Sequence, residues 1–569
     1  MAKQKSDPLY HLELELQEHL LERELALFCG AGISKNSGLP LANELKRRIL
    51  ETLLQTKQDV KQAMGVRCPF EAFMQSVYDP RLLSDKKLNA AKILELFSRG
   101  EPNSNHVLIA RLAKCGSLKT VVTTNFDVLI ERALKNEGLK DEVDFKRYFT
   151  EEHFATWAPN ESHGIFSLFK LHGSIDNPES VRATLAAVSS RSLSEKRIGV
   201  IRYLFSTGGH KVVLVLGYSC SDAFDIVPHI QSIERSNKQV FFIEHAPLFR
   251  AIGKISRKRE RNPFRCFPGK WIECNTDAFI KGLWVTLEDS IGKYELLKSE
   301  SDWSFDADQW LGESKNNPIA KSFIAGVILG IIPLYDKARF YYGRALDLAT
   351  EENDLEAMMG CNFEMGTIFW RWRDSANKTI PANGRKAVQH YREALRLAEL
   401  LHYDSLAADC YHGLAVSHKS LGEFDIAKDC LKQSRELYRR SHHGKALAQR
   451  LSGSYGALGD IYLDERKPQE ALKCFKRSFE LHKGENNRQG ISPFCLNMGT
   501  AYLRSRKFSQ AISCYKRAER ESEQKGDIYT LNAVYDSLAK AYQASGNAEM
   551  ADVYKNKLDH NTGLWKIFA

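Results

Sequence analysis

One spacing rule governs residues 319–558 and leaves few folds open to them. A small residue is followed twelve positions later by alanine, and seven positions after that by another small residue. Gly326, Ala338 and Ala345 obey it, as do Ala415, Ala427 and Ser434; Gly459, Ala471 and Ser478; and Gly499, Ala511 and Ala518. Gly366, Ala387 and Ala394 form the same unit with nine extra residues inside it, and Ala539 and Ala551 open a last one that ends on Leu558. Aromatic residues recur between them, as Tyr462 with Phe475, Tyr502 with Tyr515 and Tyr542 with Tyr554. Small residues at fixed offsets let two antiparallel helices approach closely, and stacked hairpins then share one continuous core.

This half resembles tetratricopeptide repeats, with a 40-residue period in its last three units that implies helices longer than usual. The resemblance implies an all-α solenoid that binds a protein or peptide, or that drives homo-oligomerisation. The most apolar run of the chain, Phe323–Tyr335, falls inside the first unit. It is too short to span a bilayer, so no membrane partner is expected.

The chain before the repeats has another grammar. Up to about Leu297, short β-branched runs alternate with helical stretches. Strands are expected to end at Gly30, Asn125, Gly173, Ser219 and His245. That alternation predicts an α/β Rossmann-like parallel sheet with helices on both faces, and ligands of such sheets sit beyond the carboxyl ends of the strands. A polar stretch, residues 298–318, is read as a linker. The expected organisation is therefore 1–297, an α/β domain; 298–318, a linker; and 319–569, the repeat domain. A chain of 569 residues is long enough for two cores.

Bulk properties exclude several classes. Apolar residues make up 43% and charged residues 27%, which are ordinary globular values. A net charge of +10 is modest at this length, and nucleic acid is not an expected partner. The basic stretch Lys254–Arg265 is read as a solvated loop. The twelve cysteines include no C-x-x-C pair, so neither structural zinc nor a disulfide framework is expected. Scattered single cysteines and an N-terminus without an apolar core suit the cytoplasm.

Four motifs fall at the strand ends. Phe28–Pro40, FCGAGISKNSGLP, has glycines that let backbone approach a phosphate, but a structural strand-to-helix turn accounts for it equally well. Val121–Asp127, VVTTNFD, offers an amide and a carboxylate, or simply a helix cap. Leu168–Asp176, LFKLHGSID, places a histidine where a general base is useful, although a lone strand-end histidine is more often structural. Val213–Asp222, VLVLGYSCSD, offers Gly217 and Ser219 to a phosphate or ribose.

Taken as an ordered set, these motifs resemble the sirtuin family over about residues 15–290. The resemblance implies that Gly30, Ala31, Gly32 and Ser34 bind the pyrophosphate of NAD+. It implies that Asn125 sits by the nicotinamide ribose and that Asp127 faces the nicotinamide amide. It assigns His172 as catalytic base, Gly217 and Ser219 as further NAD+ contacts, and Glu244 as the partner of the adenosine ribose. Two departures qualify it. No cysteine occurs between His172 and Val213, where deacylases of this family carry a zinc module, and Pro40 is followed by Leu41-Ala42 instead of Phe-Arg. The pattern is similar to sirtuin-like NADases of bacterial antiphage defence. It implies that NAD+ is a substrate cleaved to nicotinamide and ADP-ribose, with no metal, under control of the repeat half. An NAD-dependent deacylase or ADP-ribosyltransferase remains the second reading, and a non-catalytic NAD-sensing adaptor the third.

Overall fold

The computed structural model describes residues 8–66, 73–74, 91–159, 165–181, 193–220, 226–233, 236–257, 262–297, 306–372, 380–483, 491–525 and 528–568. Asp222 and residues 258–261 of the basic stretch lie outside them.

The N-terminal half is built on an eight-stranded sheet: β1 Leu25–Cys29, β2 Thr120–Thr123, β3 Phe145–Tyr148, β4 Phe166–Lys170, β5 Val212–Leu216, β6 Gln239–His245, β7 Ala251–Lys254 and β8 Gly269–Cys274. Their order is β3-β4-β2-β1-β5-β6-β8-β7. Every pairing is parallel except β7 with β8. The five expected strands are present, each within a few residues of its expected end. β3, β7 and β8 were not anticipated. They are short, polar or glycine-bearing, and gain strand character from their neighbours.

Near-continuous apolar runs follow from burial on both faces. Leu25, Leu27 and Cys29 of β1, with Leu214 and Leu216 of β5, enter one core under the helices Pro8–Leu21, Ser104–Lys114 and Thr276–Thr286. Ala26 and Phe28, with Val213 and Val215, enter the opposite core under Glu195–Arg202. After β4 the chain crosses back over β1 to form β5. The carboxyl ends of β1 and β5 therefore flank the switch point of the sheet, where open α/β sheets hold ligands.

The second half stacks helical hairpins. The first helices are Pro318–Ile331, Leu355–Arg371, Asp404–Ser420, Gly444–Asp464, Ser492–Arg504 and Ile528–Ala544. Their partners are Tyr335–Glu351, Pro381–Leu400, Phe424–Ser441, Pro468–Lys483, Phe508–Lys525 and Ala548–Phe568. The small residues of the first helices are seats for rings. A Cβ on Gly459 would come 2.4 Å from the Phe475 ring, and one on Gly499 2.4 Å from Tyr515. Gly326 faces Tyr342 and Gly366 faces Tyr391 in the same way. Within residues 298–318, Ala307–Leu311 is helical, and Trp310 and Leu311 are buried. No helix among the described residues is long and apolar enough to cross a membrane.

The two halves share a core. Leu45, Ile49 and Leu53 of the helix Ala42–Leu53 join Trp310, Ile324, Ile328 and Tyr341 in one apolar cluster. Polar contacts reinforce it. The Gln55 N–H donates to Tyr341 Oη at 2.9 Å, and Lys337 pairs with Asp59 at 2.6 Å.

Candidate active site

Gly30, Ala31 and Gly32 leave β1 and wind into a short 3-10 turn, Ala31–Ser37. They pack on the backbone that leaves β5. The Gly30 N–H donates to the Leu216 carbonyl at 3.0 Å, and that of Gly32 to the Gly217 carbonyl at 2.8 Å. A Cβ on Gly32 would lie 2.7 Å from Gly217 Cα. Gly217 has φ of +60°, and a Cβ there would lie 2.5 Å from the Ile33 nitrogen. The glycines at 30, 32 and 217 are thus required by one backbone-on-backbone approach. Two amide groups expected to meet a phosphate are already engaged with carbonyls. Ala31 between them is exposed, as is Ser219 beyond Gly217.

Ser34 turns inward and is buried. Its hydroxyl donates to Asp127 Oδ2 at 3.0 Å. The Asn125 amide donates to Ser34 Oγ at 3.2 Å, and His106 Nε2 lies 3.2 Å from the same oxygen. His106 Nδ1 accepts the Asn103 N–H at 3.2 Å, which puts the imidazole proton on Nε2, facing Ser34. Burial pushes the His106 pKa down to about 4, with Asp127 acting in the opposite direction, so the ring is neutral. The Ser34 hydroxyl thereby uses its proton and both lone pairs. Asp127 Oδ1 accepts the Leu129 N–H at 3.1 Å, so each carboxylate oxygen already has a protein partner.

Asn125 is the exception. Its Oδ1 is buried without a hydrogen-bond partner, while its Nδ2 is held by Ser34. An orphaned buried acceptor costs stability unless a group from outside the chain pairs with it, which makes Asn125 Oδ1 a candidate ligand-binding atom.

His172 follows β4 and is buried beside this network's loops. The turn after it depends on Gly173, at φ of +84°, where a Cβ would meet the Ser180 carbonyl oxygen at 2.1 Å. Lys170 ties that turn to the Asn-Phe-Asp loop. Its ammonium donates to the Asp127 carbonyl at 2.6 Å, to Glu131 Oε1 at 2.6 Å and to Ser174 Oγ at 2.7 Å. The Ile175 N–H adds a bond to the Phe126 carbonyl at 2.7 Å. From the other side, Arg197 donates to the carbonyls of Leu171 and Phe149.

Glu244 lies one residue before the end of β6, in register with Glu273 of β8. Its Oε2 accepts the Trp271 indole N–H at 2.8 Å.

Sequence reasoning overlooked His106, Asn103, Asn105, Lys170 and Glu131. Asn103 and Asn105 both donate to the Ile33 carbonyl, at 2.8 and 3.0 Å, locking the glycine turn to the start of the helix Ser104–Lys114. The polar run Pro102–His106 before an apolar helix was the available signal. Lys170 sits within an apolar strand, and nothing local announces its partner. Among the described residues, three potential metal ligands converge at His19, Glu22 and Glu24. They precede β1, at the edge of the sheet opposite this site, and Glu24 already pairs with Lys211.

Comparison with known proteins finds matches in both halves of the chain. A model described as a SIR2-like domain matches residues 119–262, and tetratricopeptide-repeat models match 407–442, 452–483 and 495–529. The chain thus carries a SIR2-like, NAD-related domain followed by tetratricopeptide repeats. More particularly, it is distantly similar to the NAD(+) hydrolase ThsA. It is 24% identical to that of Acinetobacter baumannii over 208 residues, 36% of this chain and 38% of that protein. It is 26% identical to that of Bacillus cereus over 220 residues, 38% of this chain and 42% of that protein. An NAD-dependent protein deacetylase of Clostridium perfringens is 30% identical over 112 residues, 19% of this chain and 40% of that protein. The chain spans about two-fifths of the length of each of these relatives.

Proposed function

We propose that the N-terminal half is an NAD+ glycohydrolase that releases nicotinamide and ADP-ribose, and that the chain acts as an antiphage effector by depleting NAD+. The observation that carries the reading is the Asn125 amide, with its nitrogen fixed by Ser34 and its oxygen buried and unpartnered at the switch point of the sheet. Two ThsA NAD(+) hydrolases among the relatives support the same chemistry.

Nicotinamide leaves the ribose as a neutral ring, and the sugar passes through an oxocarbenium-like state that water captures. Asn125 Oδ1 accepts from a ribose hydroxyl or from that water and fixes its position. His172 takes the proton that water loses on attacking the anomeric carbon, so the products are nicotinamide, ADP-ribose and a proton. Gly30, Ala31, Gly32, Gly217 and Ser219 seat the pyrophosphate end, and Glu244 meets the adenosine ribose. Ser34, His106 and Asp127 hold Asn125. No step draws on a metal.

The repeats restrain or release this site through the shared core. Phe126, between Asn125 and Asp127, packs against that core and sets its ring edge-to-face on Phe97, 4.7 Å between centroids. A protein or peptide on the repeats, or self-association through them, shifts the Asn-Phe-Asp loop along that route.

The likeness to a deacetylase keeps deacylation as the competing reading. One assay separates them. The full chain is incubated with NAD+ alone and then with an acetylated peptide, and nicotinamide, ADP-ribose and O-acetyl-ADP-ribose are followed. Free ADP-ribose without peptide, lost in Asn125→Ala, is the expected result. Turnover only with peptide would replace hydrolysis by deacylation.

A further inference from the structure

The first helices of four successive hairpins enclose a second site, far along the chain from the first. A cavity of about 330 Å³ is walled by Trp370, His412, Lys419, Asp460 and Asn497, with Gly453 and Gly456 on the same helix as Asp460. This volume accommodates a long side chain and the peptide unit that bears it.

Three observations indicate that the cavity is built for a ligand. His412 Nδ1 is buried without a partner, and Asp460 and Asn497 line the same cavity from two further helices. Polar groups of that kind, coming together from three helices, are what a ligand satisfies. The glycines are the second observation. A glycine inside a helix destabilises it relative to alanine. Gly326, Gly366, Gly413, Gly459 and Gly499 of the first helices seat aromatic rings, but a Cβ on Gly453 would meet nothing within 4 Å, and one on Gly456 only Ser478 Oγ at 3.8 Å. The space they leave open is the cavity.

Charge is the third observation. Lys419 is the cation on the wall, and it pairs with Asp464 at 3.5 Å. Asp460 is left as a carboxyl withdrawn from water, and burial raises its pKa against the influence of Lys419. An anionic ligand would meet the Asp460 carboxylate and one cation already engaged. A cationic ligand would meet a carboxylate beside an indole, the pairing that suits a guanidinium.

We propose that this cavity recognises a basic side chain, arginine foremost, on an extended peptide lying across the first helices of the second to fifth hairpins. Asp460 pairs with the guanidinium, Trp370 stacks on it, and His412 and Asn497 bond the peptide backbone. The site stands independently of the NAD+ chemistry.

The test is direct binding of a fluorescein-labelled peptide, Ala-Ala-Arg-Ala-Ala with blocked ends, to the full chain. Norleucine and glutamate versions and ATP serve as competitors. The arginine peptide is expected to bind at least about tenfold more tightly than the norleucine one. Asp460→Asn and Gly453→Leu should each weaken it by at least about tenfold, with thermal unfolding unchanged. Gly453→Leu fills open space, so it stands as the test if Asp460→Asn fails to fold. Four outcomes would overturn the proposal: no binding by the wild-type chain, equal affinity for the arginine and norleucine peptides, indifference to both substitutions, or displacement by ATP in preference to the norleucine peptide.

Discussion

Lys170→Met is the most informative perturbation of the sheet half. Lys170 and Glu131 are 1% and 3% exposed and 2.6 Å apart, and all three ammonium protons are bonded. Removing one partner of a buried pair strands the other, at a cost of about 3–5 kcal/mol. In a domain of this size that lowers Tm on the order of 10 °C. The double variant Lys170→Met/Glu131→Leu removes both charges and should recover more than half of the loss, leaving the unmade bonds to Asp127 and Ser174. A pH series supplies the sign. Burial raises the Glu131 pKa while Lys170 opposes the rise. A carboxyl whose folded pKa lies above its unfolded value contributes stability below the unfolded pKa, and that contribution is lost as pH rises through the folded one. Without Lys170 the rise is larger. The gap in Tm between Lys170→Met and wild type should therefore narrow from about pH 8 to about pH 5. Differential scanning fluorimetry across that range is the assay. A pH-independent gap, or a double variant no better than the single, would refute the reasoning.

Four further outcomes follow from the same geometry. His172→Ala should lower NAD+ hydrolysis by about 10²–10⁴-fold with little change in KM, read from initial rates, since a general base acts in the chemical step. Ser34→Ala strands the His106 and Asn125 donors and should cost about 2–4 kcal/mol in denaturant titrations, while lowering kcat through the freed Asn125. Gly217→Ala, at φ of +60° and 2.5 Å from the Ile33 nitrogen, should displace the glycine turn and raise KM for NAD+ more than it lowers kcat. Gly459→Ala overpacks the Phe475 ring and should speed amide exchange in the helices Gly444–Asp464 and Pro468–Lys483, costing about 1–3 kcal/mol there and leaving exchange in β1 and β5 unchanged.

Much of the site was legible because it sits at strand ends. An apolar run that stops at Gly-Ala-Gly or Thr-Thr-Asn marks a place where backbone leaves a parallel sheet, and only local pattern is needed to see it. Asn125, Asp127 and His172 were proposed that way, and the structure brings their loops together through Lys170 and the Ile175–Phe126 bond. Ser34 was misjudged in direction: it belongs to the buried network, not to a phosphate surface. His106 was missed because its partner Ser34 lies 72 positions away along the chain and meets it only after the helix Ser104–Lys114 docks on the glycine turn.

What the sequence determined by itself was periodicity: an alternation that demands a two-faced parallel sheet, and a twelve-then-seven spacing that demands hairpins packed ring against glycine. Both are short-range consequences of where a side chain points. The tertiary structure alone decided which acceptor was left unpartnered at Asn125, and which glycines stayed empty beside Asp460. It also decided that Phe126 would rest on a core shared with the repeats. Those outcomes depend on which distant groups pack against each other, and a hydrogen bond or a void exists only once both of its sides are in place.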